Sequence, residues 1–408
     1  MFEVSPATFA DLGVDPDLVQ SLEKDGIENP FPIQLLTIRD ALAGRDICGQ
    51  AETGSGKTLA FGLPMLQRIR GSEPRRPHGL VVVPTRELAS QVASILAPLA
   101  RTINKEVMAV YGGTSVRDQT AKLRDGVEVV VATPARLIDL LERQTIFLDK
   151  LAVLVIDEAD EMADLGFLPQ VQSIMREVTS EHQTMLFSAT LDHRVQVLIR
   201  NYMTDPVFHR VQSQGRTVDS SEHRFIEVQA TDKARLTARI SNTASRTLVF
   251  VRTKRNCDRV AADLRALGVS ARAIHGDLNQ PERERALKQF REGKLAVLVA
   301  TNVAARGLDV EGIDIVIHFD LPEDTTTYVH RSGRTARAGE AGLVVTLVSN
   351  ERLETANWIM KEAGLRVPIV KMFSNDDRLD DLNAFDPGIL PEPRKRPSSR
   401  NRRRSRLL

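Results

Sequence analysis

The stretch ICGQAETGSGKTLAFGLPMLQRI, Ile47 to Ile69, joins a short apolar run, a glycine-containing loop and a helical pattern. We predict a strand before the loop and a helix after it, which puts Gly54 and Gly56 at a strand-to-helix turn. Phosphate binds in this context because free backbone N–H groups and the helix N-terminus attract anions. The usual pattern G-x-x-x-x-G-K-[ST] asks for glycine where this chain has Ala51, and a chance glycine-rich turn is the alternative.

The loop residues have separate predicted tasks. The glycines let backbone N–H groups approach phosphate, Lys57 reaches the outer phosphates, and the Thr58 hydroxyl ligates Mg²⁺. The residues assigned to the nucleotide at this loop are Ala51, Thr53, Gly54, Ser55, Gly56, Lys57 and Thr58.

A second motif follows another apolar run, in LAVLVIDEAD. Asp157 is predicted to hold Mg²⁺ through water, and Glu158 to polarise the attacking water. The alternative is that these acids cap a helix beginning around Ala159. Capping explains one acid more easily than the four in DEADE, so the two motifs together predict NTP hydrolysis.

Several valine-rich runs end in threonine and alternate with amphipathic segments such as RELASQVASILAPLA and CDRVAADLRALG. Uniformly apolar runs are typical of parallel strands covered on both faces, so the chain is predicted to be α/β. The terminal threonines then lie at the edge where such sheets bind ligands, although threonine is also a common helix N-cap. They are Thr85, Thr133, Thr190, Thr253 and Thr301.

The length of 408 residues exceeds the roughly 250 to 300 at which one core stops growing, so two domains are expected. The segment VQSQGRTVDSSEH loses periodicity and gathers small polar residues, which is typical of a connector. We predict a first domain at 1–211, a linker at 212–221, a second domain at 222–386 and a tail at 387–408.

Charge and cysteine content indicate which partners and which compartment to expect. From Pro391 onward there are eight Arg or Lys against one acid, which leaves −6 for residues 1–390 of a chain whose net charge is +1. This tail is predicted to be disordered, as a tether for a polyanion or as a solubilising segment. The two cysteines form no metal-binding pattern, and no apolar run reaches about 18 residues, so we expect a cytoplasmic protein without a membrane partner.

The motifs together resemble the DEAD-box ATP-dependent RNA helicases. They occur in the family's order: GIENPFPIQ, AETGSGKT, PTRELA, the pair Gly112 and Gly113, TPAR, DEAD, SAT, LVFVRTK, HGDLNQPERE, ATNVAARGLD and HRSGRTAR. That family accepts alanine at the position of Ala51. The resemblance implies two tandem RecA-like domains, each a mostly parallel sheet flanked by helices.

The resemblance also implies roles in binding and hydrolysing ATP. Gln34 would bond the adenine edge with Phe9 packed nearby, and Ile27 stands where the family commonly has an aromatic that stacks on the base. Arg334 and Arg337 would act as arginine fingers on the γ-phosphate, although charge runs are usually solvated faces. Two further residues, Gly307 and Asp309, are assigned to ATP.

For RNA, the resemblance implies sequence-independent contacts to the sugar-phosphate backbone by Arg86, Gly113, Thr133, Arg136, Gly276, Arg283 and Thr301. Interdomain coupling is assigned to Asp160, Ser188, Thr190 and His330. The expected activity is local unwinding of short duplexes by a monomer, with ATP and Mg²⁺ as cofactors. A translocating DNA helicase and an ATP-gated RNA clamp are the alternatives. Partners in ribosome assembly and in RNA decay are both compatible with the sequence.

Overall fold

A computed structural model describes residues 7–52, 54–71, 73–211, 221–305, 312–335 and 342–388. Several predicted features fall outside these ranges: Thr53, Gly307, Asp309, Arg337, the connector residues 212–220 and the tail from residue 389. Within the described ranges, every helix is too short or too polar to cross a lipid bilayer.

The first half of the chain forms a seven-stranded sheet in the order β3-β4-β2-β5-β6-β1-β7, with parallel pairing throughout. Its strands are β1 (Ile47–Gln50), β2 (Gly79–Val82), β3 (Val107–Val110), β4 (Val129–Ala132), β5 (Val153–Ile156), β6 (Gln183–Ser188) and β7 (Val207–Arg210). The central strands are buried along their whole length, as their uniformly apolar sequences predict.

The helices of this half follow the amphipathic segments of the sequence and cover both faces of the sheet, each face with its own hydrophobic core. They are α1 (Pro16–Lys24), α2 (Pro32–Leu42), α3 (Lys57–Arg68), α4 (Arg86–Thr102), α5 (Val116–Asp125), α6 (Pro134–Glu142), α7 (Ala159–Asp164), α8 (Leu168–Glu177) and α9 (His193–Tyr202).

The second half forms another seven-stranded sheet, in the order β10-β11-β9-β12-β13-β8-β14. Its strands are β8 (Ser221–Glu227), β9 (Thr247–Val251), β10 (Ala271–Ile274), β11 (Val297–Thr301), β12 (Ile315–His318), β13 (Gly342–Val348) and β14 (Ile369–Lys371). Its helices are α10 (Lys233–Ser241), α11 (Lys254–Ala266), α12 (Gln280–Arg291), α13 (Asn302–Ala305), α14 (Thr325–Ser332) and α15 (Leu353–Glu362).

Two of the five terminal threonines cap helices, as the alternative interpretation of these residues predicts. Thr85 and Thr253 are the N-caps of α4 and α11, and their hydroxyls accept from Leu88 N at 3.3 Å and Asn256 N at 3.2 Å. Capping satisfies backbone N–H groups that have no partner within the helix. Both threonines nevertheless lie just beyond strand ends, so the two interpretations are compatible.

Packing divides the chain into two compact units. The first contains the whole first sheet together with Ile274–Arg291 and the described part of Ala300–Glu311, and therefore includes α12 and α13. The second contains most of the second sheet, α10, α11, α14 and α15. The predicted division at residues 212–221 stays a prediction, and Ser221 is the first residue of β8.

Candidate functional site

The phosphate loop connects β1 to α3, and Gly56 is the N-cap of that helix. Gly54 and Gly56 have φ values of 85° and 86°, in the left-handed region that favours glycine. A Cβ on Gly56 would lie 2.5 Å from Nε2 of Gln34, so a side chain has no space there either. Both glycines are therefore required by the turn itself.

The remaining described loop residues brace this turn. The N–H of Ala51, which is buried, donates to the Ser188 carbonyl at 3.0 Å. The Ser55 hydroxyl donates to the Glu52 carbonyl at 2.6 Å. Thr58 is partly buried in the first turn of α3. Ala51 thus continues the contact of β1 with β6, a place where a methyl group is accommodated.

Lys57 lies in a buried cluster of charges. Its Nζ is 2.8 Å from Oε1 of Glu158 and 3.7 Å from Oδ1 of Asp157, and all three side chains are at most 6% exposed. Burial acts to lower the pKa of Lys57, but the charges of the two acids outweigh it and raise the pKa, so the ammonium persists. Burial raises the pKa of Asp157 to about 7 against the opposing charge of Lys57. Such perturbed, paired groups at strand ends indicate a functional site.

Glu158 has strained backbone geometry, with φ 55° and ψ 51° in a residue that is not glycine. Its N–H donates to Oδ1 of Asp157 at 2.9 Å, and α7 begins at the next residue, as predicted. Non-glycine residues in this region cost about 1 to 3 kcal/mol, and they cluster at functional sites. The Glu158 carboxylate accepts from Nζ of Lys57 at 2.8 Å.

Asp160 connects the acids to the SAT motif. Its Oδ2 accepts from Thr190 N at 2.9 Å and from the Thr190 hydroxyl at 3.2 Å. The Ser188 hydroxyl accepts from Asp160 N at 3.1 Å and donates to the Thr190 carbonyl at 2.6 Å. Three of the four residues assigned to coupling are thus joined by direct hydrogen bonds.

Gln34 is tied to the phosphate loop. Its Nε2 donates to the Gly56 carbonyl, and its Oε1 accepts from Phe31 N, both at 2.8 Å. Ile27 is partly buried against the hydrophobic core, and Phe9 is 1% exposed within that core. Gln34 therefore lies beside the loop, and its contact with adenine stays a prediction, whereas Phe9 lies inside the core.

The first unit also contains a cleft of about 410 Å³. It is lined by Pro84, Thr85, Arg86, Glu87, Gly112, Thr133, Pro134, Ala135, Arg136, Asp139, Leu165, Phe167, Gly276, Arg283 and Val303. Guanidinium groups are thus combined with apolar side chains, a lining that suits phosphates and the ribose or base surfaces beside them.

Two arginines of the cleft contact neighbouring residues of the same sheet edge. The guanidinium of Arg86 lies against the glycine pair, because a Cβ on Gly113 would be 2.5 Å from its Nη1. Arg136 donates to Oε1 of Gln119 at 2.7 Å and to the Thr114 carbonyl at 3.3 Å. Burial lowers the pKa of Arg136 below its usual value, and a neighbouring anion would offset that desolvation.

Arg283 forms an ion pair with a carboxylate for which the sequence analysis predicted no role. Its Nε and Nη2 both lie 2.7 Å from Oε1 of Glu87, and the two side chains are 8% and 7% exposed. A further N–H of Arg283 donates to the His275 carbonyl at 3.3 Å. The contact of Arg283 with RNA stays a prediction.

The described part of HRSGRTAR belongs to the second unit. Arg331 lies in α14, donates to the Asp320 carbonyl at 2.9 Å and stacks over the Phe250 ring at 5.1 Å. Arg334 follows the end of α14 in a turn and is 8% exposed. Arg331 therefore has structural contacts within the unit, whereas Arg334 lies beyond the end of α14.

Comparison with known proteins decides the family. Models described as DEAD/DEAH box helicase and helicase conserved C-terminal domain match residues 31–198 and 232–339. The chain is 41% identical over 344 residues to the DEAD-box ATP-dependent RNA helicase CshA of Bacillus subtilis strain 168, covering 84% of this chain and 69% of that protein. The chain belongs to the DEAD-box ATP-dependent RNA helicases.

Other members of the DEAD-box family agree. The ATP-dependent RNA helicase CshA of Listeria monocytogenes is 42% identical over 342 residues, covering 83% of this chain and 66% of that protein. The structure of S. cerevisiae Dbp5 bound to RNA and ADP BeF3 has a TM-score of 0.80 at 27% identity, over 92% of this chain and 98% of that one. The predicted fold of two RecA-like sheets is confirmed, and the chain is an RNA-stimulated ATPase of the DEAD-box type.

Most residues that the sequence assigns to RNA lie in or beside the cleft, and their contact with RNA stays a prediction. Of the predicted RNA ligands, Arg86, Thr133, Arg136, Gly276 and Arg283 line the cleft, Gly113 adjoins it through Arg86, and Thr301 ends β11. His330 lies in α14, away in sequence from the other coupling residues. Glu87, Gln119 and Phe167 were missed. Only the position of Glu87 beside Arg86 in PTRELA offered a signal.

Proposed function

We propose that this chain separates short RNA duplexes locally, and remodels RNA or RNA–protein complexes, by ATP-driven closure of its two domains. The observation that carries the proposal is the buried contact of Lys57 with Glu158 and Asp157 beside the phosphate loop. Three charges held away from water are arranged for a triphosphate and its metal. The proposed domains are residues 1–211 and 222–386.

Hydrolysis would divide its tasks among these groups. Lys57 neutralises the outer phosphates, and Glu158 orients and polarises the attacking water. Arg334 and Arg337 stabilise the charge that develops on the γ-phosphate when the domains close. Arginine fingers contribute about 10³ to 10⁵ in rate in comparable NTPases, so turnover is slow until closure brings them in.

The donor set fits Mg²⁺. The described residues contain no cluster of three or more His, Cys, Asp or Glu side chains that could cage a metal. Mg²⁺ does not need one, because it keeps several waters and uses one or two carboxylates together with substrate phosphates. Asp157 would hold it through water and Thr58 through its hydroxyl. When bound, the ion would neutralise charge on the phosphates.

RNA would be held through its backbone, without sequence preference. The guanidiniums of Arg86 and Arg136 and the Thr133 hydroxyl suit phosphate and 2′-OH groups. The bonds between Asp160, Ser188 and Thr190 support a route by which the acids of the ATP site respond to RNA. His330, the fourth residue assigned to coupling, would act from the second domain.

Closure links the two ligands by differential affinity. ATP and single-stranded RNA bind the closed form more tightly than the open form, so each favours the other. A strand bent in the closed form cannot remain in an A-form duplex, and the duplex opens locally. Hydrolysis and phosphate release then reopen the protein and free the RNA. We further propose a cytoplasmic monomer.

The decisive test compares ATPase stimulation of the full chain by RNA and by DNA of equal length, together with multiple-turnover unwinding of a short RNA duplex. We expect stimulation by RNA alone and repeated unwinding. Equal stimulation by DNA would favour a translocating DNA helicase. RNA binding with slow, single turnover would favour an ATP-gated clamp. Sequencing of RNA crosslinked in cells would separate ribosome assembly from RNA decay.

The basic tail is proposed to tether RNA. Deleting the residues after Pro391 should weaken RNA binding and flatten its salt dependence, since each neutralised phosphate contributes about −0.7 to the slope for single strands. Basal ATPase should be unchanged. An unaltered salt slope would instead assign the tail to solubility.

A further inference from the structure

Phe31 is an exposed aromatic residue beside the phosphate loop. The residue is 54% exposed, and Leu35 and Leu36 at the start of α2 are 39% and 42% exposed. Phe31 and Leu35 are four residues apart and so share a helix face. Adjoining exposed apolar side chains are typical of a surface that meets a ligand.

The ring touches the nucleotide loop directly. A Cβ on Gly56 would lie 2.8 Å from Cδ2 and 3.3 Å from Cβ of Phe31, so the ring lies against the N-cap of α3. The Phe31 N–H donates to Oε1 of Gln34, whose Nε2 donates to the Gly56 carbonyl. Phe31, Gln34 and Gly56 therefore form one contiguous group.

Local folding does not explain a phenylalanine at this position. Phe31 is the N-cap of α2, where Ser, Thr, Asp or Asn would accept a hydrogen bond from the first turn, and it makes no side-chain cap. The residue as a whole also leaves about half of its surface in water. A residue that is poor for the helix start and poorly buried needs another reason to be there.

The base of a bound nucleotide supplies that reason. Ile27, at the position where an aromatic was expected, is partly buried against the core, and Phe9 is enclosed within it. Among the described residues around Gln34, Phe31 is the aromatic side chain that solvent reaches. Every base has a π-face, and stacking on a ring is favourable without any hydrogen-bond pattern.

We propose that Phe31 provides the aromatic surface against which the adenine of ATP packs, replacing the ring missing at Ile27, while Leu35 extends the apolar floor. This inference rests on the proposed function, because it assumes that ATP occupies the loop. The chain would thus have moved its base-stacking group by four residues, from the segment before α2 to the N-cap of that helix.

The test is the Phe31→Thr variant, which restores a side chain able to cap α2 and so should not impair folding. Binding of a non-hydrolysable ATP analogue and of inorganic tripolyphosphate is measured in the full chain. Base–aromatic stacking predicts that the analogue binds about fivefold to a hundredfold more weakly, while tripolyphosphate is unaffected because it carries no base.

Two further variants sharpen the result. Phe208→Thr removes another exposed ring, 60% exposed on β7, and should leave both affinities unchanged. Ile27→Phe, added to Phe31→Thr, should recover affinity for the ATP analogue by returning a ring to the position before α2.

Equal weakening of the analogue and of tripolyphosphate would overturn the inference, because the ring would then support the loop and not the base. Undiminished affinity of Phe31→Thr for the analogue would overturn it too. If the unmodified chain binds neither ligand, the proposed function itself fails. Loss confined to the Phe31 variant leaves that function standing.

Discussion

Lys57 and Lys233 follow equivalent strands of the two sheets, but one contacts acidic side chains and the other a backbone carbonyl. The strands preceding them, β1 and β8, are both sixth in their sheet order, and each lysine is the first residue of the next helix. Lys57 contacts two buried acids, which raise its pKa. Lys233 donates to the Phe319 carbonyl at 2.7 Å, and burial lowers its pKa.

The residues that follow the fourth strand of each sheet also differ in charge. Strands β5 and β12 are both fourth in order, and β5 is followed by Asp157 and Glu158, whereas β12 is followed by Phe319 and Asp320. The segment QATD before Lys233 contains no glycine, so the left-handed turns of the phosphate loop are unfavourable there. The same topology thus carries a buried cluster of a lysine and two acids in one sheet, and a lysine that donates to a carbonyl at a strand end in the other, because chemistry depends on residues and not on fold.

Replacing the two lysines should separate these roles most strongly. Lys57→Ala removes the ammonium proposed to face the outer phosphates, and we expect RNA-stimulated ATPase to fall by about 10² to 10³, as when one preorganised donor is lost. Lys233→Met should keep the ATPase rate and lower the urea midpoint. Comparable ATPase losses in both variants would contradict the assignment.

The acids give the next largest contrast. Glu158→Gln should lower the ATPase rate by about 10² to 10⁴ while ATP and RNA still bind, since general-base assistance is removed and the packing is kept. The matched change Asp320→Asn, in the second sheet, should leave the rate intact. Single-turnover hydrolysis measures the effect, and loss of ATP binding in Glu158→Gln would point to a structural role.

Acid should affect the second sheet through His318. This buried residue has a pKa well below its usual 6.5, because of burial and the facing charges of Arg331 and His223. The unfolded chain therefore binds a proton that the folded chain excludes, and stability present above about pH 6.5 is lost as the pH falls. Fluorescence of Trp358, the one tryptophan of the sequence, reports on this unit during urea unfolding.

His318→Asn should make the urea midpoint less dependent on pH between 7 and 5.5, whereas the exposed His193→Asn should not. An identical pH dependence in the His318 variant and the unmodified chain would assign the acid sensitivity to other groups.

The smallest expected effect concerns a cap. Thr253→Ala removes the hydroxyl that accepts from Asn256 N, and N-cap loss costs about 1 kcal/mol. Thr253→Ser retains the acceptor and should restore the stability. Calorimetric unfolding of both variants measures the difference, and no change in Thr253→Ala would indicate that water replaces the cap.

Local pattern made the phosphate loop, the acids and the strand–helix alternation predictable. Each depends on neighbouring residues: glycines permit the turn, uniformly apolar runs fit buried strands, and an acid after such a run lies at a sheet edge. The beginnings of α3 and α7 were predicted for this reason. Residues beyond the described ranges, such as Arg337, keep their predicted roles as predictions.

Contacts between distant residues were not predictable in this way. Arg283 was expected to meet RNA, yet its partner is Glu87, 196 residues earlier in the chain. Gln34 was expected at adenine, and its amide also bonds Gly56. Phe9 was expected near the base, and its ring lies inside the core. Periodicity says which face of an element is apolar, but not which element covers it.

The amino-acid sequence by itself determined the family, the α/β class and the identity of the charged groups, because these follow from residue type and short-range spacing. Only the tertiary structure decided which charges meet, that Glu158 is strained, and that Phe31 lies exposed against Gly56. Those features depend on sheet order and on the packing of helices far apart in sequence, and burial then sets the strength of each interaction.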